Sequence, residues 1–163
     1  MPIEAIVNSE IQNYPEMTGL PSPKIVDVIE VFAFVRPQPQ GSAKAYVRGG
    51  RAVITSDNAK LKPYRSEVAM CAQAMMEDQG KEAFPKHQPV ALELIFFLRK
   101  PNSVPRKRRH PVVKPDIDKL VRATLDALTG IMFHDDAQVV ELLTRKLYAG
   151  VEGVRIVARE VTQ

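Results

Sequence analysis

Apolar residues along the chain follow two periodicities, and the shorter one predicts six strands. The first strand covers residues 25–35, where β-branched residues partly alternate with polar ones. Two short β-prone runs flank Gly49 and Gly50, a pair that permits the positive φ angles of a tight hairpin turn. The stretch 90–98 is almost continuously apolar, which is typical of a strand inside a sheet. The last two strands are predicted over 138–148 and 153–161.

Two other stretches have apolar residues at helical spacing. One helix is predicted to begin at Pro63 and end near Gly80, and the second to begin near Asp116 and end at Gly130. The predicted inward positions are Tyr64, Val68, Cys71, Ala72 and Met75 in the first helix and Ile117, Val121, Thr124, Leu125 and Leu128 in the second. The order β-ββ-α-β-α-β-β predicts the α+β class, with two main helices packed on a mixed β-sheet.

The length and composition indicate one domain with a short extension. Of the 163 residues, 1–24 carry four prolines and are expected to form an N-terminal arm, which leaves 25–163 as the domain. A hydrophobic fraction of 45% with 26% charged residues excludes a fully disordered or collagenous chain. No apolar run approaches the roughly 20 residues of a membrane span. The single Cys71 and the lack of a basic start favour a reducing, cytoplasmic setting.

Positive charge is concentrated in one segment. Residues 99–114 contain seven Lys or Arg and no acid, whereas the whole chain has a net charge of only +4, so the remainder is net negative. A local basic patch is typical of a chain that contacts a polyanion at one place. The run Arg106, Lys107, Arg108 and Arg109 has two interpretations: a solvated charge cluster, or contacts to DNA phosphates. The absence of Trp argues against a single-strand binder based on base stacking.

The segment 114–142 follows this patch and is rich in aspartate. It contains Asp116, Asp118, Asp126, Asp135 and Asp136. Asp116 and Asp118 could simply cap a helix and favour its dipole. They can share a ligand only if Asp116 lies outside the helix, because helical residues two apart point about 200° away from each other. Pro115 makes a non-helical Asp116 plausible.

A third carboxylate must come from further along the chain. The helix rises about 15 Å from Asp118 to Leu128, and an extended chain from Gly130 to Asp136 spans about 20 Å. Asp135 or Asp136 is therefore expected to return to the helix start, with only one of these neighbours facing the site. Asp126 lies about 12 Å along the helix axis from Asp118 and is assigned to helix-surface or structural hydrogen bonding.

Three aspartates make a hard oxygen site. Such a site suits Mg²⁺ or Mn²⁺ and argues against zinc. Next to a basic patch, it indicates metal-dependent hydrolysis of a phosphodiester, in which the ion activates water and stabilises the leaving oxygen.

The acidic segment also resembles a known family. Its motifs KPDID at 114–118, LDAL at 125–128 and DDAQV at 135–139 are similar to those of the RusA-type Holliday junction resolvases, a family common in phages and prophages. The close similarity spans about residues 112–148. It implies a RusA-like fold over 25–163, and it implies that Asp116, Asp118 and Asp136 are the essential metal ligands.

The chain departs from the family motif at two positions. Lys119 stands where the family has Asn, and Arg122 stands where it has a catalytic Lys. Arg122 is four residues after Asp118 and so lies on the same helical face, but arginine cannot readily donate a proton. The resemblance implies that Arg122 stabilises charge on the phosphate. The residues expected to contact DNA are Arg106, Lys107, Arg108, Arg109, Lys114, Lys119 and Lys146.

The implied function is a Mg²⁺-dependent endodeoxyribonuclease that resolves four-way junctions by paired symmetric nicks in DNA recombination and repair. Mn²⁺ is expected to substitute for Mg²⁺, and the setting would be a bacterial or phage-infected cell. The two-fold symmetry of a junction implies a homodimer. Two alternatives stay open: a branched-DNA-binding protein without turnover, and a nuclease for flaps or forks. The cluster Met70, Met75 and Met76 is interpreted as helix core or a dimer face, and His134 is given no role.

Overall fold

Six strands and two helices follow one another in the predicted order within residues 28–41, 43–56 and 58–161, the part of the chain that the computed structural model describes. The predicted arm, 1–24, lies outside the described residues. The strands are β1 (Val28–Ala33), β2 (Ala43–Arg48), β3 (Arg51–Ser56), β4 (Val90–Arg99), β5 (Val139–Ala149) and β6 (Gly153–Glu160). The helices are α1 (Leu61–Asp78) and α2 (Ile117–Leu128), and a short 3₁₀ helix spans Asp136–Gln138.

Four strands form a mixed sheet in the order β1-β6-β4-β5. Strand β4 pairs in parallel with β5 and antiparallel with β6, and β6 pairs antiparallel with β1. The almost continuously apolar β4 is thus an interior strand, as predicted, and its side chains are buried on both faces. The α+β class with a mixed sheet and two helices is confirmed.

Strands β2 and β3 form a separate two-stranded sheet. Arg48 pairs with Arg51, so the hairpin turn consists of Gly49 and Gly50 alone, with φ values of 59° and 75°. Side chains disfavour two consecutive positive φ angles, which is why this two-residue turn requires glycine.

Both helices pack on one face of the larger sheet. The core joins residues of both helices with Val90, Leu92, Leu94 and Phe96 of β4. Helix α1 packs on β1 and on α2, while α2 also contacts β5. Neither helix, within the described residues, is long and apolar enough to cross a membrane.

The inward faces of the helices differ in part from the predicted ones. Met76 is buried in α1 whereas Met75 is exposed, and Cys71 is only half-buried. Positions 75 and 76 lie on either side of the apolar stripe, so helical spacing alone does not choose between them. The buried residues of α2 are Leu120, Val121, Ala123, Thr124, Ala127 and Leu128, and the predicted Ile117 and Leu125 are half-buried.

The methionine cluster is divided between core and surface. Met76 belongs to the core, as one of the two interpretations predicted, but Met70 is 67% exposed. The dimer-face interpretation of Met70 and Met75 stays a prediction.

One buried polar contact links the two helices. The Tyr64 hydroxyl lies 2.8 Å from Oγ1 of Thr124, and Thr124 in turn donates to the carbonyl of Leu120 at 3.0 Å. Tyr64 is therefore the donor in its bond to Thr124. Burial raises the pKa of Tyr64 from 10.0 to about 12, so the hydroxyl keeps its proton well above neutral pH.

This contact predicts an asymmetry between two substitutions. Tyr64→Phe leaves Thr124 bonded to Leu120 and should lower the free energy of unfolding by about 1 kcal/mol. Thr124→Val leaves the buried Tyr64 hydroxyl without its acceptor and should cost about 2–3 kcal/mol. Urea denaturation of both variants and of the double variant measures this difference. Equal costs for the two single variants would contradict the assigned direction of the hydrogen bond.

Candidate active site at the start of helix α2

Asp116 lies outside helix α2, as a shared ligand site requires. It is the N-cap residue, with an extended backbone at φ −69° and ψ 139°, and its side chain makes no capping hydrogen bond. Asp116 therefore occupies the N-cap position without capping the helix through its side chain, and a favourable interaction of Asp116 and Asp118 with the helix dipole stays open. The one described partner of its carboxylate is the ammonium of Lys119, at 3.7 Å.

Asp118 and Arg122 lie one turn apart on the exposed surface of α2. Within the described residues, neither side chain has a hydrogen-bond or ion-pair partner. A carboxylate and a guanidinium that the fold does not use are available to a ligand, and their i,i+4 spacing places them side by side.

Lys146 anchors the turn that precedes Asp116. From β5, its ammonium donates to the carbonyls of Val113 and Pro115, both at 2.9 Å. Its described role is therefore to hold the start of α2 against the sheet, which the sequence pattern did not predict. The expected contact of Lys146 with DNA stays a prediction. The ammonium of Lys146 has a third proton that could donate to a phosphate.

A second anchor comes from the loop of residues 36–41, which crosses over the start of α2. The backbone amide of Gln40 donates to the carbonyl of Lys119 at 2.9 Å. The guanidinium of Arg65 on α1 donates to Oε1 of Gln40 at 2.5 Å and also to the carboxylate of Asp126. The structural hydrogen bonding predicted for Asp126 is thus confirmed. Arg65 and Gln40 had no signal in the sequence, because their partners are distant along the chain.

Between this loop and the start of α2 lies an open groove of about 620 Å³. Asp116 is part of its wall. Five cations also line it: Arg36, Lys60, Arg99, Lys114 and Lys119. Glu152 is the other acid of the lining, and it is paired with Arg36 at 3.4 Å. The groove therefore offers positive charge to a polyanion right beside the paired aspartates.

The basic run 106–109 lies in the exposed connection between β4 and α2. Lys100 shapes this connection by donating to the carbonyls of Arg106 and Arg108, at 2.9 and 2.7 Å. Within the described residues, the side chains of 106–109 have no hydrogen-bond or ion-pair partner. They are available for phosphate contacts, and these contacts stay a prediction.

The two neighbouring acids after α2 have different surroundings. Asp135 caps the 3₁₀ helix and accepts a hydrogen bond from the amide of Ala137 at 2.8 Å. The described residues provide no hydrogen bond or ion pair to the carboxylate of Asp136. Asp136 is therefore the acid that the fold leaves available, consistent with the family resemblance.

Gln138 holds this turn rigidly against the rest of the protein. Its side-chain oxygen accepts from the amides of His134 and Asp135 at 2.9 and 3.3 Å. Its side-chain nitrogen donates to the carbonyls of Pro85 and Gln88 at 2.9 and 3.0 Å. The spacing of Asp135 and Gln138 is that of a capping box, so a sequence signal for this contact existed.

Asp136 does not return to the start of α2, and that expectation is wrong for a single chain. After α2 the chain makes a tight turn in which the amides of Ile131 and Met132 both bond the carbonyl of Leu128. The return is made instead by β5, on which Lys146 reaches Pro115. Val139 and Lys146 are about 23 Å apart along this strand, and α2 is about 18 Å long. Asp136 thus lies roughly 20 Å from Asp116, at the opposite end of the helix.

The described residues contain no group of three or more His, Cys, Asp or Glu side chains placed to hold one metal ion. Asp116 and Asp118 nevertheless fit Mg²⁺, which commonly takes one or two protein carboxylates and completes its shell with water and substrate phosphate. The chemistry of these donors matches the cation that the sequence predicts, and the assignment of the three aspartates as its ligands stays a prediction.

Two neighbouring aspartates beside a cation-lined groove, in an α+β fold, are typical of metal-dependent nucleases. The family model described as Endodeoxyribonuclease RusA matches residues 35–159, and the chain belongs to this family.

The chain is also similar to two known proteins. The chain is 29% identical to the uncharacterized protein YqaN of Bacillus subtilis (strain 168) over 147 residues, covering 84% of this chain and 99% of YqaN. It is 30% identical over 77 residues to the crossover junction endodeoxyribonuclease rusA of Lactococcus phage r1t. That match covers 45% of this chain and 56% of the phage protein.

The Lys146 contacts predict a structural cost that is separate from DNA binding. Lys146→Met should lower the free energy of unfolding by about 1–2 kcal/mol, because the carbonyls of Val113 and Pro115 lose a charged donor. Arg145→Met is the matched control, since Arg145 is the adjacent β5 cation and has no hydrogen-bond or ion-pair partner among the described residues. Urea denaturation without DNA gives both values. Equal stability of the two variants would show that Lys146 does not anchor the turn.

Proposed function

We propose that the protein is a Mg²⁺-dependent, structure-selective endodeoxyribonuclease that resolves four-way DNA junctions by paired symmetric nicks. The observation that carries the proposal is the pair Asp116 and Asp118 beside the cation-lined groove, with Asp116 outside the helix and the Asp118 carboxylate unused by the fold. Membership of the RusA family supports the reaction class, and the printed name of the phage relative supports the junction substrate. The cellular role follows as DNA recombination and repair.

Asp116, Asp118 and Asp136 are proposed to hold the ion. When bound, Mg²⁺ supplies Lewis acidity that activates a water molecule and stabilises the leaving oxygen, and Mn²⁺ is expected to substitute. Before the ion binds, the aspartates repel phosphate, which makes the site inactive without metal. Lys119, whose ammonium lies 3.7 Å from Oδ2 of Asp116, would compete with an ion for this carboxylate.

The remaining cations position the DNA. Arg122, next to Asp118 on the helix surface, is proposed to hold the negative charge of the scissile phosphate as a permanently charged group. The backbone flanking that phosphate is assigned to Lys114, Lys119 and the run 106–109, because the first two line the groove and the run lies exposed in the same connection. Lys146 contributes mainly by holding the turn before Asp116 in place.

The separation within one chain supports the proposed homodimer. Asp136 is roughly 20 Å from Asp116, whereas carboxylates that share one Mg²⁺ each lie about 2 Å from it. A second copy can supply the third carboxylate, and a two-fold dimer then has two complete sites. Two sites related by a two-fold axis match the two strands that a junction requires to be cut.

The metal assignment predicts the behaviour of Asp118→Asn. This variant should lose nicking of a synthetic four-way junction by at least about 100-fold in Mg²⁺ and in Mn²⁺, while gel-shift affinity is unchanged or tighter because one negative charge has gone. Asp78→Asn, at the far end of α1, is the charge-matched control and should cut normally. EDTA should stop both the parent and the control. Normal cutting by Asp118→Asn would show that this residue is not a ligand.

A shared site predicts complementation between two inactive variants. Asp116→Asn and Asp136→Asn should each be inactive alone. A mixed dimer contains one site with both substitutions and one site with none. About half of the dimers in an equimolar mixture are mixed, so at most about one quarter of all sites are intact and nicking should return to about that fraction of the parent's activity. Differently tagged subunits show whether exchange has occurred. If it has, and the mixture is as inactive as each variant alone, Asp136 does not complete the site of the partner subunit.

A second candidate is a branched-DNA-binding protein without turnover. It is favoured by the ammonium of Lys119 at 3.7 Å from Asp116, where it opposes a cation, and by arginine in place of the family's lysine. Junction binding without cleavage in either Mg²⁺ or Mn²⁺ would support this candidate. The same assay with flap and fork substrates distinguishes a junction resolvase from the remaining alternative, a nuclease for flaps or forks.

A further inference from the structure

Two exposed valines lie directly before the candidate active site. Among the described residues of the connection between β4 and α2, Val112 and Val113 are the large apolar side chains that are exposed, at 73% and 47%. Val113 lines the groove beside Asp116, and the basic run 106–109 precedes the pair. A side chain as exposed as Val112 gains little from folding, whereas a ligand in contact with it would cover its apolar surface.

We propose that Val112 is a wedge, an apolar side chain that contacts the faces of base pairs at the branch point of a four-way junction. This inference rests on the proposed function and deepens it, because it names the feature of branched DNA that the site recognises. Phosphate contacts position a protein on DNA of any shape. Apolar side chains placed between base steps, in contrast, recognise DNA whose stacking is interrupted.

The charges around Val112 favour DNA over a protein as its partner. The basic run 106–109 ends three residues before Val112, and Lys114 follows two residues after it. Within the described residues, the side chains of 106–109 have no hydrogen-bond or ion-pair partner, so they can hold phosphates on one side of the valine while Lys114 holds phosphates on the other. An apolar contact between proteins is usually depleted of lysine at its centre.

The backbone around Val112 is held in place by the fold. The carbonyl of Val113 accepts a hydrogen bond from Lys146 at 2.9 Å, and the amide of Val112 donates to the carbonyl of His110 at 3.1 Å. Pro111, directly before Val112, is buried. A side chain on a fixed backbone loses little conformational entropy when it binds, so more of its contact energy is available to separate base pairs.

The spacing of Val112 and Asp116 is compatible with the dimensions of DNA. An extended chain over these four residues spans at most about 14 Å. The grooves of B-DNA are about 7.5–8.5 Å deep, so base edges lie within this distance of the phosphates that border them. One strand can therefore place a phosphate at Asp116 and a neighbouring base at Val112. In a continuous duplex this contact requires unstacking, which costs free energy, whereas the strands already diverge at a branch point.

Fluorescence of 2-aminopurine tests the contact with the full chain. The probe is a synthetic four-way junction that carries 2-aminopurine in the base pair next to the branch point, in EDTA so that no cutting is expected. The parent should raise the fluorescence, because unstacking relieves quenching of this base. Val112→Ser should lose more than half of the rise, and its preference for the junction over a duplex of the same sequence should fall by about 5-fold. Val112→Leu keeps an apolar side chain and should retain both.

Val47→Ser is the matched control, because Val47 is 74% exposed and lies on β2, outside the connection. It should behave like the parent, and circular dichroism should show that all variants are folded. A full rise in Val112→Ser, an equal loss in Val47→Ser, or a parent that does not bind the junction overturns the wedge. A changed oligomeric state of Val112→Ser in light scattering also overturns it, since the valine would then contact a protein.

The outcomes separate this proposal from the nuclease activity. A parent that cuts junctions while Val112→Ser keeps the full fluorescence rise overturns the wedge and leaves the nuclease intact. A parent that cuts nothing, but whose fluorescence rise is lost in Val112→Ser and kept in Val112→Leu, supports the wedge in a branched-DNA-binding protein without turnover.

Discussion

The two hydrogen bonds of Lys146 are the contact on which the geometry of the site depends. They connect the carbonyls of Val113 and Pro115 to strand β5 and so determine where helix α2 begins. Because β5 is paired with the interior strand β4, the turn is fixed to the most deeply buried part of the protein. Asp116 then lines the groove from a rigid base, and Asp118 follows it on the exposed surface of the first turn of α2.

The same contact explains why one chain separates its acids. A helix and a strand of similar length run in opposite directions between the two acidic motifs, so the motifs lie at opposite ends of both elements. Flexibility of the short connection cannot bring them together, because its turn is closed by backbone hydrogen bonds to Leu128 and by the side chain of Gln138. If the three aspartates bind one ion, an assembly of two chains is required.

Local patterns in the sequence predicted most of the fold, because they arise from local physics. The apolar run of β4, the Gly49-Gly50 turn and the N-terminal position of Asp116 each depend on a few neighbouring residues. Met75 and Met76 could not be told apart, since the choice depends on the sheet beneath the helix. The contacts of Arg65 with Gln40 and Asp126 join residues 25 and 61 positions apart, and no periodicity indicates such pairs.

The incorrect expectation for Asp136 has a physical cause that extends beyond this protein. The length of an extended chain is an upper limit on its reach, and a segment that forms a turn uses almost none of it. Asp135 and Gln138 already carried the signal for such a turn, because a capping box specifies a helical start and not an extended return. Given a turn at that point, the third carboxylate stays at the far end of α2. A site assembled from two chains would couple DNA cleavage to dimerisation, since a lone chain then holds only two of its three ligands. Under the proposed function, in which two strands are cut symmetrically, this dependence would favour paired nicks over single ones.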